Sequence, residues 1–429
     1  MDLMTKLRAG ALDGALAVLY GSADAARAEG IVRAFAERYP ENADRAALFS
    51  APGRTEIGGN HTDHQHGRVL CGSVDLDMLA CAAPNGLDVI RVFSEGYGET
   101  AVTLDALSPR PEETGTTAAL VRGVAAGVAA RGHAVGGFDA YVQSNVLAGA
   151  GLSSSAAFEV LVGTVLNRCF CENALSAAEI AIISQAAERD WYGKPCGLMD
   201  QMGSALGGAV AIDFRDPENP AAEQIAYDFS RSGHALCILD TGSSHDDLTA
   251  DYAAVPAEMT AVARYFGRDV LREVPEDAFR ASIGAVREAL GDRAVLRARH
   301  FFAENRRAAA EADALRRGDF DGFLKLVNES GLSSACDLEN IFSPAHPEKQ
   351  AVSLALSVGR ELLGGRGAIR VHGGGFAGTV QAFVPEDLLD DFVAGTEAVF
   401  GKGRCHVLRI RPVGGCEITE GSTAEEEKR

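Results

Sequence analysis

A glycine- and serine-rich turn at the start of an apolar segment constrains this chain more than any other feature. Residues 138–146, FDAYVQSNV, alternate apolar and polar side chains, which is typical of a half-buried strand. The turn that follows leads into a predicted helix and consists of Gly149, Ala150, Gly151, Leu152, Ser153, Ser154 and Ser155. Glycine lets the backbone approach a ligand closely, and the free N–H groups and dipole of a helix start favour an anion. A strand, a glycine turn and a serine-rich helix start therefore predict a phosphate-binding loop.

Two better-known phosphate loops are excluded by the residues at this turn. No lysine follows the glycines, as a Walker A loop requires, and the G-x-G-x-x-G spacing of a dinucleotide-binding turn is absent. An ordinary turn with a serine N-cap is the alternative to a phosphate loop, and this segment alone does not exclude it.

A second polar segment, GRTEIGGNHTDHQHG at residues 53–67, is compatible with a metal site or a sugar site. Its three histidines are His61, His64 and His66. Their H-x-x-H-x-H spacing brings two imidazoles together, but no other His/Cys cluster offers the further ligands of a zinc site. In a sugar site, Asp63 and its neighbours would bind hydroxyl groups, Arg54 would supply a fixed cation, and the glycines would allow close approach. We therefore favour the sugar site.

Two acids of the segment AAERDWYGKPCGLMDQMGSALGG, residues 186–208, are candidate site residues. Glu188 lies near a predicted helix end, and Asp200 lies in a loop broken by glycine and proline. Phosphoryl transfer needs a carboxylate for Mg²⁺ and a group that orients or deprotonates the acceptor hydroxyl. A surface charge is the alternative for either acid taken alone. The segment HGGGFAGT, residues 372–379, is glycine-rich, and a bare hairpin turn is its simplest interpretation.

The acidic composition excludes several classes of partner. A formal net charge of −20 repels nucleic acid and anionic membranes, so we expect neither as a partner. The nine cysteines are odd in number and form no C-x-x-C pair, which indicates reduced thiols. The N-terminus lacks the pattern of a signal peptide, and no apolar run is long enough for a membrane span. We therefore expect a cytoplasmic protein.

The order of predicted elements indicates an α+β fold, because strands and helices do not alternate strictly. Residues 3–39 predict two amphipathic helices, and Ser176 with Glu179 predicts a capped helix that ends near Asp190. A mostly antiparallel sheet is predicted by short β segments at residues 69–76, 78–83, 88–94 and 100–105. Residues 215–224, which contain two prolines and several charges, predict a linker.

Four motifs together resemble those of the GHMP kinase superfamily of small-molecule kinases. GAGLSSSAA is similar to the family's ATP-phosphate loop, PCGLMDQ to its catalytic-aspartate segment, and GGGFAG to its C-terminal glycine motif. APGRTEIGGNHTDHQHG resembles the signature of the galactokinases, whose usual form is G-R-x-N-L-I-G-E-H-T-D-Y. The motifs occur in the family's order, and the resemblance extends over residues 30–415.

The resemblance implies a two-domain α+β architecture with the active site in the interdomain cleft. Residues 1–215 would form an N-terminal domain with the sugar motif and the ATP-phosphate loop, and residues 225–415 a C-terminal domain. Residues 416–429 lie outside the resemblance and are expected to be an acidic tail, and the polar, charged composition of residues 418–429 predicts disorder. The implied reaction is ATP-dependent phosphorylation of the anomeric hydroxyl of a monosaccharide, with galactose giving α-D-galactose 1-phosphate. ATP and Mg²⁺ are the implied nucleotide and metal, and we expect a monomer.

The resemblance also implies roles for individual residues. Asp200 would face the anomeric hydroxyl as a base or orienting group, and Arg54 would stabilise the developing charge. Ser155 and Glu188 would hold Mg²⁺, and residues 149–155 would wrap the phosphates of ATP. The sugar contacts would come from Asn60, His61, Thr62, Asp63, Gly197 and Tyr252.

Three residues depart from the galactokinase signature. Asn60 replaces the usual glutamate, Glu56 replaces an asparagine, and His64 replaces a tyrosine. These departures leave the choice of sugar open, so a kinase for another sugar or amino sugar is one alternative. A non-catalytic sensor of sugar and ATP is a second alternative. Sensors of this family carry a damaged serine loop, and the loop of this chain is intact.

Overall fold

The computed structural model describes residues 2–23, 25–147, 151–243 and 248–420. Within these residues, fourteen α-helices and twelve β-strands form the fold. The helices are α1 (Leu3–Arg8), α2 (Asp13–Tyr20), α3 (Ala26–Arg38), α4 (Thr117–Ala130), α5 (Ser154–Phe170), α6 (Ala177–Ala186), α7 (Met199–Leu206), α8 (Thr249–Tyr265), α9 (Glu276–Ala281), α10 (Ile283–Leu290), α11 (Asp292–Arg316), α12 (Phe320–Ser333), α13 (Ala351–Leu363) and α14 (Leu389–Phe400). The strands are β1 (Ala47–Gly58), β2 (Arg68–Pro84), β3 (Val89–Ser94), β4 (Gly98–Thr103), β5 (Phe138–Ser144), β6 (Ala209–Asp213), β7 (Ala221–Ile225), β8 (His234–Asp240), β9 (Ala368–Val371), β10 (Thr379–Pro385), β11 (Cys405–Leu408) and β12 (Cys416–Glu417). No described helix is long and apolar enough to cross a membrane.

The larger sheet has eight strands in the order β12-β1-β2-β5-β3-β4, with β6 paired to β2 and β7 paired to β6. Only β3 and β5 run parallel, so the predicted, mostly antiparallel sheet is confirmed. The side chains of β2 point alternately to the two faces of the sheet, and helices cover both faces. Ala80 and Ala82 pack with helices α4 to α6, whereas Leu79 and Cys81 pack with α1 to α3.

The predicted strands 69–76 and 78–83 are one strand, β2. Asp77, the residue between them, is fully buried and is bound by donors from distant segments. Tyr20 donates to its carboxylate at 2.7 Å and Arg27 at 2.5 Å, and Ser50 donates to it as well. Because a buried carboxylate is tolerated once cations and donors surround it, the strand continues through Asp77. Those partners were not recognisable from the local pattern.

The smaller sheet has four antiparallel strands in the order β11-β8-β10-β9. The side chains of β8 again alternate, since Cys237 and Leu239 pack with α13 and α14, and Leu236 and Ile238 pack with α11 and α12. The two sheets with their helices form the predicted α+β fold, and the turn between β9 and β10 is the glycine motif.

Two predicted boundaries differ from the structure. Strand β7 overlaps the end of the predicted linker and pairs with β6, so the larger sheet extends to residue 225. The tail predicted from residue 416 is wrong for residues 416–420, because Cys416 and Glu417 pair with β1 and Ile418 is buried. Residues 421–429 lie outside the described residues. Backbone pairing therefore returns the C-terminal segment to the first half of the chain.

Helix ends in the first half also depart in detail from the prediction. The first 39 residues form three helices, since glycines with positive φ, Gly10 and Gly21, follow α1 and α2. The predicted capping box of Ser176 and Glu179 is present at the start of α6. Beyond Ala186 the helix continues as a π-helical segment, Ala187–Tyr192, and this segment carries Glu188.

Candidate active site

The side chains of Arg54, Ser153 and Asp200 meet although they are far apart in the sequence. Arg54 projects from β1, and its Nε donates to Oδ1 of Asp200 at 2.7 Å while its Nη2 lies 2.5 Å from the same oxygen. Ser153 Oγ donates to Oδ2 at 2.6 Å. A carboxylate offers about four acceptor positions, so Oδ2 keeps one for a ligand. Asp200, in the first turn of α7, is thus held in a fixed orientation and remains 28% exposed.

Strand β1 and the predicted phosphate loop are joined directly. The backbone N–H of Arg54 donates to the carbonyl of Leu152 at 2.9 Å, and the Arg54 guanidinium donates to the carbonyl of Gly151. A Cβ at Gly53 would lie 2.8 Å from the Leu152 oxygen, so this close approach requires glycine. The arginine and the loop therefore hold fixed positions relative to each other.

The start of α5 is not an ordinary serine-capped helix end. Ser153 occupies the N-cap position with φ of 56°, but its side chain makes no capping bond to the helix and instead donates to Asp200. The first-turn N–H groups consequently receive no cap from Ser153, which fits an anion-binding helix start. Gly149 and Ala150, which were predicted to contribute to the same loop, lie outside the described residues.

The carboxylate of Glu188 is almost completely buried and accepts three hydrogen bonds. Ser155 Oγ and Lys194 Nζ lie 2.9 Å and 2.8 Å from Oε1, and Gln201 Nε2 donates to Oε2 at 2.8 Å. Gln201 also donates to Glu159, whose other oxygen is buried without a partner. Burial, and then the charge of Glu188, raise the pKa of Glu159 well above its ordinary value, so Glu159 is the neutral member of this acid pair.

The donor set around Glu188 fits Mg²⁺. This cation prefers oxygen ligands and is usually bound through one or two carboxylates together with substrate phosphates. The Ser155 hydroxyl and the Glu188 carboxylate already lie in contact, and the unpartnered oxygen of Glu159 belongs to the same cluster. Lys194 provides the positive charge beside Glu188 in this structure.

The predicted sugar-binding residues Asp63 and Gly197 lie against each other. A Cβ at Gly197 would be 2.6 Å from Oδ2 of Asp63, so a larger residue there would displace this carboxylate from its present position. Asp63 is partly exposed, so its carboxylate is accessible to a ligand.

The glycine motif between β9 and β10 binds two further residues of the predicted sugar site. His61 Nε2 donates to the carbonyl of Gly374 at 2.9 Å, and the Tyr252 hydroxyl donates to the carbonyl of Gly375 at 2.8 Å. The Tyr252 ring also packs edge-on against Phe376 at 5.3 Å. The motif is therefore more than the bare hairpin turn that its sequence alone suggested.

Asn60 and Thr62, two of the predicted sugar contacts, have side chains that are bonded within the protein. Both are fully buried. The Asn60 amide donates to Glu56 at 2.9 Å and to the carbonyl of Gly373 at 2.6 Å. The Thr62 hydroxyl lies 2.8 Å from the carbonyl of Gly59, which closes the turn. Because their polar groups are already satisfied by the protein, these two residues hold the loop that presents His61 and Asp63.

The histidines of this segment do not form a metal site in the described structure. The ring of His64 lies edge-on to that of His61 at 5.6 Å, and both of its nitrogens are buried without a partner. Burial lowers the pKa of His64 to about 4, so the ring is neutral at physiological pH. In residues 2–23, 25–147, 151–243 and 248–420, no group of three His, Cys, Asp or Glu side chains is placed to hold a metal ion.

Three features of the site were not predicted from the sequence. Ser153 binds Asp200, Lys194 pairs with Glu188, and Gln201 bridges Glu188 and Glu159. Gln201 had a detectable signal, since it directly follows Asp200 in the PCGLMDQ motif. Nothing in the sequence marked Lys194 as a site residue, because a lysine in a polar loop is usually a solvated charge.

Two protein-family models match the segments of the chain that contain these site residues. A family model described as "GHMP kinases N terminal domain" matches residues 119–208, which include the phosphate loop, Glu188 and Asp200. A second model, "Galactokinase galactose-binding signature", matches residues 33–84, which include Arg54 and Asp63.

Solved structures share the fold. The galactokinase of Lactococcus lactis complexed with galactose superposes with a TM-score of 0.74 at 22% identity, covering 91% of this chain and 100% of that chain. The mevalonate kinase of Methanococcus jannaschii gives 0.60 at 14% identity, with coverage of 85% and 98%. The phosphomevalonate kinase of Streptococcus pneumoniae gives 0.55 at 12% identity, with coverage of 86% and 99%. Segments of this chain therefore match the GHMP kinase N-terminal domain and the galactokinase galactose-binding signature, and the chain shares the fold of a galactokinase.

Proposed function

We propose that this protein transfers the γ-phosphoryl group of ATP to the anomeric hydroxyl of galactose and so forms α-D-galactose 1-phosphate. The observation that carries the proposal is the carboxylate of Asp200, which Arg54 and Ser153 hold beside the uncapped start of α5. This arrangement sets an acceptor for a hydroxyl group next to a helix start that favours phosphate. The Lactococcus enzyme of the same fold was solved with galactose, which supports galactose as the sugar.

On the acceptor side, Asp200 would receive a hydrogen bond from the anomeric hydroxyl through the remaining position on Oδ2. The bond from the sugar oxygen to γ-phosphorus forms while the bond from γ-phosphorus to the β,γ-bridging oxygen breaks, and ADP leaves. The hydroxyl proton passes to Asp200 or to a phosphate oxygen. Because Arg54 already binds Oδ1 twice, we infer that Asp200 acts mainly by orientation and electrostatics, as is common in phosphoryl transfer.

On the nucleotide side, residues 149–155 would bind the phosphates through backbone N–H groups and serine hydroxyls. Ser155 and Glu188 would hold Mg²⁺, which when bound offsets the charge of the phosphates. Lys194 would then leave Oε1 of Glu188. Its side chain is 57% exposed and follows Gly193, so it has room to move toward the phosphates.

On the sugar side, Asp63 and the backbone of Gly197 would bind hydroxyl groups of galactose. His61 and Tyr252, both held by the glycine motif, would complete the site. We also propose two domains: the larger sheet with α1 to α7, and the smaller sheet with α8 to α14. In this division the boundary lies after residue 225, and β12 returns to the first domain.

The decisive experiment is a panel of sugars assayed with ATP and Mg²⁺ by ADP release. The panel includes galactose, glucose, 6-deoxygalactose, galactosamine and N-acetylgalactosamine. We expect galactose to give the highest kcat/KM and a product phosphorylated at C1 in the α configuration, read by NMR. Preference for another sugar would replace galactose in the proposal, and binding of sugar and ATP without turnover would identify a sensor instead of a kinase.

A further inference from the structure

Helix α11 contacts the sugar loop through two side chains one turn apart. His300 and Glu304 stand on the same face of the helix, since residues four apart are neighbours there, and both are fully buried. They contact the backbone of Gly59 and Asn60, which directly precede His61. The second half of the chain thus binds the backbone from which the proposed sugar ligands project.

One carboxylate oxygen of Glu304 accepts hydrogen bonds from the N–H groups of the loop. Its Oε1 accepts from the N–H of Gly59 at 3.0 Å, from the N–H of Asn60 at 3.4 Å and from the Ser330 hydroxyl at 2.6 Å. Its Oε2 accepts from Arg307. Burial alone would raise the pKa of Glu304, but the charges of Arg307 and Arg370 and the hydrogen bond from Ser330 lower that pKa below its ordinary value. The loop is therefore held by an ionised carboxylate, and bonds to charged groups are stronger than neutral ones.

His300 binds the carbonyl of the same peptide segment. Its Nε2 lies 2.9 Å from the carbonyl oxygen of Asn60, which can only accept, so Nε2 carries the hydrogen. Burial lowers the pKa of His300, and the neutral ring accepts at Nδ1 from the Ser333 hydroxyl at 2.9 Å. The N–H groups of Gly59 and Asn60 and the carbonyl of Asn60 are thus bonded to α11.

The side chain of Asn60 fixes the opposite side of the loop. Its oxygen accepts from Asn340 at 2.8 Å, and its amide donates to the carbonyl of Gly373 in the glycine motif. The loop is consequently clamped between α11 and the glycine motif, and a shift of either would displace His61 and Asp63.

We propose that Glu304 and His300 are positioning residues of the sugar site, through which the second half of the chain sets the affinity for the acceptor sugar. The inference rests on the proposed function, because it takes residues 61 to 63 as the sugar-binding segment. Neither residue touches the sugar. They fix the loop that does.

The test compares Glu304→Gln with a matched control on the same helix, Glu311→Gln. Glu311 is also fully buried, but its carboxyl has no hydrogen-bond partner, and burial together with Glu304 raises its pKa well above the ordinary value. Glutamine therefore resembles the neutral acid at position 311. At position 304 the amide group would point an NH₂ either at the loop N–H groups or at Arg307, so a donor faces a donor.

We expect Glu304→Gln to raise the KM for the best sugar of the panel by about tenfold or more, with the KM for ATP changed less than about threefold. Titration calorimetry of the same sugar should show the same loss of affinity. Glu311→Gln should match the wild type in both. Equal sugar affinity in the two variants would overturn the proposal, and so would a parallel rise of both KM values with a lowered Tm, which marks a purely structural role.

A milder variant covers the case in which Glu304→Gln does not fold. Ser330→Ala removes one bond to Oε1 and leaves the carboxylate in place, and we expect a two- to fivefold rise in sugar KM, about the loss of one hydrogen bond. An unchanged sugar KM in this variant would then overturn the proposal. Failure of the wild type to phosphorylate any sugar refutes the proposed function instead, and calorimetry still reports whether Glu304 controls sugar binding.

Discussion

Replacing Asp200 by asparagine removes one charge and one acceptor at the centre of the site. The two bonds from Arg54 to Oδ1 can be kept by the asparagine oxygen, but an NH₂ group then takes the place of Oδ2. That group cannot accept from the anomeric hydroxyl or from Ser153, and the charge of the buried Arg54 loses its partner. Loss of such a group costs about 10²- to 10⁴-fold in kcat. This range corresponds to about 2.7–5.4 kcal/mol of activation free energy.

The assay is steady-state ADP release at saturating galactose and ATP, with ADP binding and Tm measured in parallel. Asp190→Asn is the matched control, since Asp190 is an exposed acid ten residues earlier that pairs only with the neighbouring Arg189 among the described residues. We expect the control to keep kcat within about twofold, because an exposed pair contributes little. An Asp200→Asn enzyme with kcat within tenfold of the wild type, and with normal ADP binding, would remove Asp200 from the mechanism.

Three further changes test other parts of the site. Glu188→Gln should raise the Mg²⁺ concentration needed for half-maximal rate by about tenfold, because an amide is a poorer ligand for a hard cation; a change confined to sugar KM would contradict the assignment. Gly197→Ala should raise the galactose KM by about tenfold at unchanged ATP KM, since its Cβ would lie 2.6 Å from Asp63; an unchanged galactose KM would separate this contact from sugar binding. His64→Phe should make stability less sensitive to acid. In the unfolded chain, His64 binds a proton once the pH falls below its ordinary pKa of 6.5, whereas in the folded protein its pKa is about 4. The wild type therefore loses about 2 kcal/mol of unfolding free energy between pH 6.5 and pH 5. Urea titrations at pH 7 and pH 5 should show a smaller loss in the variant, and equal losses would refute a buried neutral ring.

Local features of the sequence were sufficient to predict those parts of the site that depend on nearby residues. The glycine turn and serine-rich helix start at residues 151–155 need only the conformational freedom of glycine and the free N–H groups of a helix start. The capping box at Ser176 is likewise local, because its two bonds join residues three apart. The alternation at residues 138–146 likewise predicted strand β5, although the single strand through Asp77 was missed.

The environment of Asn60 could not be predicted from the residues next to it in the sequence. Its place in the galactokinase signature suggested a sugar contact, yet packing against α11 and the glycine motif buries it and uses its amide within the protein. The partners that decide this, Glu304 and Asn340, are 244 and 280 residues away. No pattern in the first segment encodes which distant groups will face it.

The sequence by itself therefore determined the fold class, the glycine turn with its serine-rich helix start and the motifs that the family models match, because glycine turns, helix starts and alternating strands depend on neighbouring residues. Only the tertiary structure decided which side chains form ion pairs or hydrogen bonds with each other. Arg54 and Asp200 meet across 146 residues, and Lys194 pairs with Glu188, which is buried in the π-helical segment. Such pairs form when packing brings buried polar groups close enough to satisfy one another, since a buried charge or donor without a partner is costly.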